Sequence, residues 1–349
     1  MRDLVHRLVG ERTLKRDEFR ALIASCDSQT LEYIRKESVR TAQERFGHGI
    51  FVRGLIEISS FCRNDCAYCG LRRSNRSAER YRLNHEQIIE CCKEGYDAGL
   101  RTFVLQGGED ATLTDEWLEQ IIHDIRHIYP DVAITLSLGE RSYDSYKRLY
   151  DAGATRYLLR HEAANEELYR KLHPQTMSHA NRIACIENLK DIGYQTGMGM
   201  MVGVRGQSVE DLVDDLLLME RIRPQMIGIG PFIPHRNTPL GDYPAGSVKL
   251  TLLMLSIVRL MHPSALIPST TALATISAQG RRMGILSGAN VVMPNLTPQS
   301  ERKKYAIYED KASSGSEAVE GLRALEQELN EIGYHIDYSR GDYKKEDSL

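Results

Sequence analysis

Eight short apolar segments, each followed by a polar or glycine-rich turn and then a longer stretch of helical periodicity, limit most strictly how this chain can fold. They fall at residues 55–59, 102–106, 133–137, 156–159, 196–202, 226–229, 266–268 and 290–293. Strands that alternate with helices become parallel neighbours joined by crossovers. Eight such units predict an α/β fold closed as a single (β/α)8 TIM barrel rather than an open doubly wound sheet. The 349 residues suffice for that barrel with flanking segments. The expected division is an N-terminal helical cap over 1–49, a barrel over 50–300 and a C-terminal extension packing on the barrel over 301–349. Within the cap, 14–24 and 28–45 have the apolar spacing of two surface helices. In a barrel the C-terminal ends of all strands converge on one mouth, so polar residues scattered along the chain share an address.

The least ordinary residues at that mouth are Cys62, Cys66 and Cys69, which follow the first strand. Arg63, Asn64 and Asp65 between them and Gly70 behind them interrupt apolar periodicity, which places the thiols on a loop. A four-iron, four-sulfur cube held by three thiolates keeps one iron open to a substrate or cofactor. A zinc ion with three thiolates and an exogenous ligand is a second reading, and a helix whose positions i, i+4 and i+7 face a core is a third. Seven cysteines, an odd number with three in one loop, do not make the pattern of a secreted disulfide scaffold. With no secretory leader and no apolar run of about 18 residues, a cytoplasmic protein without a membrane partner is expected. A formal net charge of −3 argues against a surface that coats nucleic acid. The Arg302-Lys303-Lys304 run is too short to alter that.

Other strand ends supply further candidates. Gly107 and Gly108 permit a ligand to approach the backbone, and Glu109 can hold an ammonium or a ribose; a tight turn before a helix is the plainer reading. Ser137 ends the third strand. After the fourth, Arg160 and Glu162 share parity and face the mouth together while His161 points away, unless they form a salt-bridge network between layers. Arg182, on a later helix, has the guanidinium fork suited to a carboxylate, although the residues alone do not select it over Arg156. In the fifth strand glycines alternate with methionines. Small residues there leave room for a bulky ligand and Met200 and Met201 offer it a soft apolar lining, or the strand is adaptable core. Met226, His235, Thr270, Thr271, Asn290 and Asn295, on the last three strands and their loops, are expected to face the substrate.

The Cys62-x3-Cys66-x2-Cys69 spacing, with Tyr68 before the last cysteine, resembles the cluster-binding signature of radical S-adenosylmethionine enzymes. The resemblance implies that the three cysteines hold a [4Fe-4S] cluster whose open iron is chelated by S-adenosylmethionine. It further implies that an electron donor drives cleavage of that cofactor to a 5'-deoxyadenosyl radical. By the same resemblance Gly107-Gly108-Glu109 binds the cofactor's amino group and Arg182 its carboxylate. Across about 50–300, residues 50–59, Tyr157-Leu-Leu-Arg-His-Glu162, Gly228-Ile-Gly-Pro-Phe-Ile-Pro-His235 and Gly288-Ala-Asn-Val-Val-Met-Pro-Asn295 resemble one branch of these enzymes, the HydE [FeFe]-hydrogenase maturases, with biotin synthases more distant. That branch implies assembly of the hydrogenase diiron subcluster from an organometallic, cysteine-bound iron carbonyl cyanide, with maturation proteins as partners. Many of its members carry C-terminal cysteines for a second cluster; residues 301–349 contain none, so one cluster is expected. A radical amino-acid mutase or biotin-synthase-like enzyme is the alternative activity, and a barrel-derived interaction protein the nonenzymatic one.

Overall fold

The computed structural model describes residues 1–312 and 319–344; the serine-rich run at 313–316 lies outside the described residues. Helices α1 (Arg2–Glu11), α2 (Arg16–Ala24) and α3 (Ser28–Phe46) precede two successive strands, β1 (Gly49–Val52) and β2 (Gly54–Ser59). The alternating body follows: α4 (His85–Asp97), β3 (Thr102–Gly107), α5 (Asp115–Ile128), β4 (Ala133–Ser137), α6 (Tyr143–Asp151), β5 (Arg156–Leu158), α7 (Glu166–Leu172), α8 (His179–Ile192), β6 (Gln195–Val202), α9 (Val209–Ile222) and β7 (Met226–Pro231). It ends with α10 (Val248–Met261), α11 (Thr271–Ile276), α12 (Gly280–Ile285), β8 (Val291–Val292), α13 (Gln299–Arg302), α14 (Leu322–Asn330) and β9 (His335–Asp337).

Most helices of the body start where a short polar side chain takes an orphan backbone donor. Asn84, Thr114, Ser142, Asn165, Ser178, Ser208 and Ser247 each accept from the amide three residues on, which stabilises each helix start by about 1 kcal/mol. The helix α10 is different, because it is mostly apolar and buried all round. Every residue from Thr251 to Met261 is buried, as expected of a helix covered on all faces. It lies between β7 and α3, so the N-terminal helices cover a part of the barrel wall that cannot face water.

Strands β2 to β7 form a parallel six-stranded sheet in sequence order. The ring continues through isolated parallel bridges, Met226 to Leu266 and Pro268 to Val291, and returns to the first strand at Leu55 and Asn295. The Leu296 amide donates to the Leu55 carbonyl at 2.7 Å, which joins the last station to the first. This is the expected (β/α)8-type barrel, with its seventh station reduced to bridges and its eighth to two residues. The reduction has a local cause. Arg259 donates to the carbonyls of Pro263 and Ala265, and the Asn290 side chain accepts from the Ile267 amide, so side chains satisfy groups that a longer strand would pair.

A helix at Arg2–Glu11 and strands β1 and β9 were not foreseen from the sequence. β1 extends the line of β2 below the barrel and pairs in parallel with β8 on one side and β9 on the other. A three-residue strand after a charged helix gives no periodicity to read.

Candidate active site

Parity along the first strands decides what faces the barrel interior. Ile56 and Ile58 are fully buried on the helix side of β2, whereas Leu55 and Glu57 line a cavity of about 320 Å³ at the strand C-terminal ends. Of the sequence candidates, Tyr68, Cys69, Gly107, Ser137, Arg160, Glu162, Met201, Thr270 and Thr271 line the same cavity. Arg160 and Glu162 form an ion pair with each other at 3.1 Å within it. The Thr270 hydroxyl is buried there with no partner among the described residues.

The turn that carries the ion pair is held from behind. Glu162 has a left-handed backbone, with φ of 64°, a conformation a non-glycine residue keeps only when its surroundings impose it. The fully buried Asp215 of α9 supplies that constraint. Its carboxylate accepts from the Ala164 amide at 2.7 Å and meets the His161 ring at 3.1 Å. Burial pushes the Asp215 carboxyl up, against the hydrogen bonds that favour its charged form.

Cys62, Cys66 and Cys69 lie on the loop after β2, and none is in a disulfide. Burial pushes the Cys69 thiol up to about 12, with the neighbouring Cys62 adding to it, and drives Cys66 well above the ordinary thiol range. Cys66 thus feels both other thiols and Cys69 feels Cys62, and thiolates so placed are unfavourable without a compensating positive charge. Among the described residues no three His, Cys, Asp or Glu side chains are grouped tightly enough to hold a single metal ion as they stand. Three free thiols on one loop are a donor set that fits a multinuclear thiolate-ligated group. The neighbouring turn packs directly on this loop: a side chain on Gly108 would come within 2.2 Å of the Phe61 carbonyl and 2.8 Å of the Cys62 Cβ. Only glycine lets the second turn lie against the thiol loop.

Tyr68 is fixed beside Cys69. Its hydroxyl donates to His173 Nε2 at 3.2 Å, while the Nδ1–H of His173 donates to the Tyr169 carbonyl at 2.9 Å. Burial lowers His173 to about 3, so the ring is neutral and accepts. Glu109 faces an adjoining open groove of about 670 Å³. It is paired with Arg63 at 3.1 Å and accepts from the Glu140 amide. Arg182 joins groove and cavity by donating to Glu140 at 2.7 Å and to the Arg160 carbonyl at 2.9 Å.

Several expected contacts lie elsewhere. Met200 is fully buried and off the cavity, because it alternates with Met201 along β6. Met226 begins β7, at the opposite end from the mouth, and packs with Leu266 and Val291. Asn290 is a structural acceptor for Arg259 and Ile267. Asn295 stands one layer behind the wall and donates to Glu57 at 3.0 Å. His235 is not on the cavity but packs against Gly70 of the thiol loop. The glycines of β6 also have another purpose than expected. A side chain on Gly199 would meet the Gly228 carbonyl at 2.0 Å, so this glycine permits strand packing, whereas Gly228 on β7 faces open cavity.

The sequence reading missed Glu57, Gln106 and Met293 and, more importantly, a wall built from the C-terminal extension. Tyr305, Ile307, Tyr308 and Lys311 line the cavity, where the expectation was only an extension packing on the barrel. Lys311 is 7% exposed and ion-paired with the fully buried Glu57. The one available signal was Glu57 itself, a charge on an inward strand position that needs a partner.

A profile for the radical SAM superfamily matches residues 56–219. The chain is 46% identical over 265 residues to the [FeFe] hydrogenase maturase subunit HydE of Thermotoga maritima, covering 76% of this chain and 75% of that protein. It is 28% identical over 298 residues to 3-methylornithine synthase of Methanosarcina acetivorans, covering 85% and 83%. The crystal structure of methylornithine synthase (PylB) superposes with a TM-score of 0.84 at 25% identity, covering 96% of this chain and 97% of that one. With three thiols, a paired-charge cavity and the barrel on which both stand, the chain belongs to the HydE family of radical S-adenosylmethionine enzymes, whose cofactors are a [4Fe-4S] cluster and S-adenosylmethionine.

Proposed function

We propose that this enzyme serves [FeFe]-hydrogenase maturation by modifying an organometallic, cysteine-bound iron carbonyl cyanide. The observation that supports this most is the thiol loop opening on a cavity walled by Arg160–Glu162 and Lys311–Glu57, together with the 46% identity to a HydE maturase. Bound together, the cluster and S-adenosylmethionine supply one-electron cleavage of a sulfonium and a 5'-deoxyadenosyl radical.

The chain's own residues then have distinct tasks in this reading. Cys62, Cys66 and Cys69 hold the cluster, and Tyr68 closes one side of it. Gly107, Gly108 and Glu109 receive the amino group of S-adenosylmethionine, and Arg182 its carboxylate. Ser137, Arg160, Glu162 and Met201 border the nucleoside. Thr270 and Thr271, with Tyr305 and Lys311, face the second ligand, and the strap from Tyr305 to Lys311 excludes water from it. The barrel at 50–300 carries the chemistry, the cap at 1–49 covers its wall, and the extension from 301 completes the cavity. A cytoplasmic setting, an electron donor and other maturation proteins belong to the same proposal; among the described residues no helix is long and apolar enough to cross a membrane.

A second reading is an amino-acid mutase, favoured by the likeness to methylornithine synthase and by two opposed ion pairs that suit an amino-acid zwitterion. One experiment separates them. Anaerobically reconstituted protein should carry about four irons per chain, and Cys66→Ala should lose them while Cys91→Ala keeps them. Supplied with reductant, S-adenosylmethionine and either the iron carbonyl cyanide synthon or amino acids, the enzyme should form an adenosyl adduct with the synthon, seen by rapid-freeze electron paramagnetic resonance and mass spectrometry. Conversion of an amino acid with no change in the synthon would reassign the substrate.

A further inference from the structure

The segment that follows α7 grips the thiol loop from outside the cavity. Pro174 cannot continue a helix and keeps the residue before it out of the helical region, so His173 is extended, with φ of −120° and ψ of 153°. Its ring turns back over α7 and stacks on Tyr169, with ring centres 3.9 Å apart. The backbones are joined as well. The Ala67 amide donates to the Leu172 carbonyl at 2.8 Å, and the Ala67 carbonyl accepts from the Leu240 amide at 3.3 Å. On either side of Ala67, the Cys66 sulfur lies 4.0 Å from that of Met177, and the Tyr68 ring meets the His173 ring edge-on at 5.6 Å.

Tyr68 is divided between two environments. Its ring borders the cavity beside Cys69, whereas its hydroxyl ends on His173 Nε2, and neither His173 nor Tyr169 lines the cavity. The acceptor is held in the one form that can take this proton. Because the Nδ1–H of His173 is given to the Tyr169 carbonyl, Nε2 keeps its lone pair. Burial, with Arg182 and His179 adding to it, keeps the ring neutral.

We infer that His173 is a positioning residue for the cofactor site: by accepting the Tyr68 hydroxyl it keeps that ring at the cavity wall and withholds the O–H from the cavity. The inference rests on the assignment of the thiol loop as the cluster and S-adenosylmethionine site, and not on the identity of the second ligand. The need for such an anchor follows from bond strengths. A phenolic O–H is weaker than the primary C–H of 5'-deoxyadenosine, so a hydroxyl loose in the cavity would quench the 5'-deoxyadenosyl radical. In that loss the new C–H bond forms, the O–H bond breaks and a neutral tyrosyl radical is left, with no further electron or proton exchanged. An O–H committed to a buried imidazole nitrogen is out of that path.

The test compares His173→Leu with His173→Gln in the cluster-loaded full chain, since glutamine can still accept the hydroxyl and leucine cannot. Without reductant, equilibrium binding of S-adenosylmethionine should weaken about fivefold in His173→Leu, the size of one hydrogen bond, and recover in His173→Gln, with iron content unchanged in both. With dithionite and no second ligand, His173→Leu should give an electron paramagnetic resonance signal that narrows when the protein carries ring-deuterated tyrosine. That signal should vanish when Tyr68→Phe is added, and the parent and His173→Gln should lack it. A His173→Leu protein that binds cluster and cofactor as the parent does and gives no such signal would overturn the inference, as would an equal tyrosyl signal in the parent. Should His173→Leu hold no cluster, nitrogen-15 NMR of the oxidised parent decides. The histidine resonance lost in His173→Gln should be that of a neutral ring protonated on Nδ1 at neutral pH, and protonation on Nε2 would overturn the inference. A parent protein that binds neither cluster nor S-adenosylmethionine would instead remove the cofactor assignment on which the inference rests.

Discussion

At residue scale, Asp215 shows how a group with no access to the cavity governs what the cavity presents. It ties His161 and Ala164 to α9 on either side of the strained Glu162. Asp215→Ala removes an acceptor from the part-buried Ala164 amide and frees the turn, a loss of about 1–3 kcal/mol. S-Adenosylmethionine binding to the cluster-loaded variant should weaken at least tenfold while its iron content stays that of the parent; equal affinity would separate the clamp from the site. Asp110 gives a prediction in pH. Burial alone would raise its carboxyl, but hydrogen bonds from Arg82, Ser59 and Thr112 hold it down at about 2. A carboxylate depressed when folded contributes stability that is complete above its unfolded value near 4 and is lost as pH falls towards 2. Screening of the half-exposed Arg82 reduces this contribution to about 1–2 kcal/mol. Urea unfolding should find Asp110→Asn less stable than the parent by that amount at about pH 5, with the gap narrowing below about pH 3; a gap that persists in acid would show that the ionised carboxylate is not its source. Parity was legible at this scale: it placed Arg160 and Glu162 on one side of the chain. It fails for Met226 and Asn290, because parity says which face a residue takes and not how far along the strand it lies.

At the scale of elements, the strap from Tyr305 to Lys311 was the part the sequence concealed. Its residues follow no helical or strand period, and what determines its place is a partner far away in sequence, Glu57 on β2. The helices were legible because their caps and apolar spacing are local, and the strands β2 to β7 because short apolar runs recur between them. The seventh and eighth stations were legible as runs but not as short ones, since Arg259 and Asn290 take over their backbone partners from other elements. The ion pair allows the strap to be tested as an element. Lys311→Met leaves the buried Glu57 carboxylate with the Asn295 amide as its side-chain donor, and an uncompensated buried charge costs about 3–5 kcal/mol. Glu57→Gln in the same chain removes that charge and should restore most of the loss. Denaturant unfolding of the two single variants and the double variant measures the coupling; additive losses would mean that strap and strand are held together by something other than this pair.

At the scale of the whole molecule, the end opposite the mouth is closed by charge as well as by strands. Arg53 and Arg156 are both buried there, and burial lowers both guanidinium pKa values, with Arg156 adding to the effect on Arg53. Among the described residues the Arg53 guanidinium reaches only the sulfur of Met226, at 3.2 Å. Arg156 donates to the Thr102 hydroxyl, to the Arg340 carbonyl at 3.0 Å and to Asp342 at 2.6 Å. Among the described residues the one carboxylate facing the two cations thus comes from the far end of the chain, delivered by β9 as it pairs with β1. Folding of the barrel is thereby linked to arrival of the last described residues. Ending the chain after residue 332 removes β9, the Arg340 carbonyl and Asp342 together, leaving two buried guanidinium groups without a counter-charge. The expected loss is about 3–5 kcal/mol, read as a lower midpoint in urea, while the thiol loop and the strap, which lie at the other end, still assemble cluster and bind S-adenosylmethionine. Arg156→Met in the full chain separates charge from strand pairing: it should tolerate Asp342→Ala with little further loss, whereas the parent should not. Equal cost of Asp342→Ala in both backgrounds would show that the tail closes the barrel by backbone pairing alone.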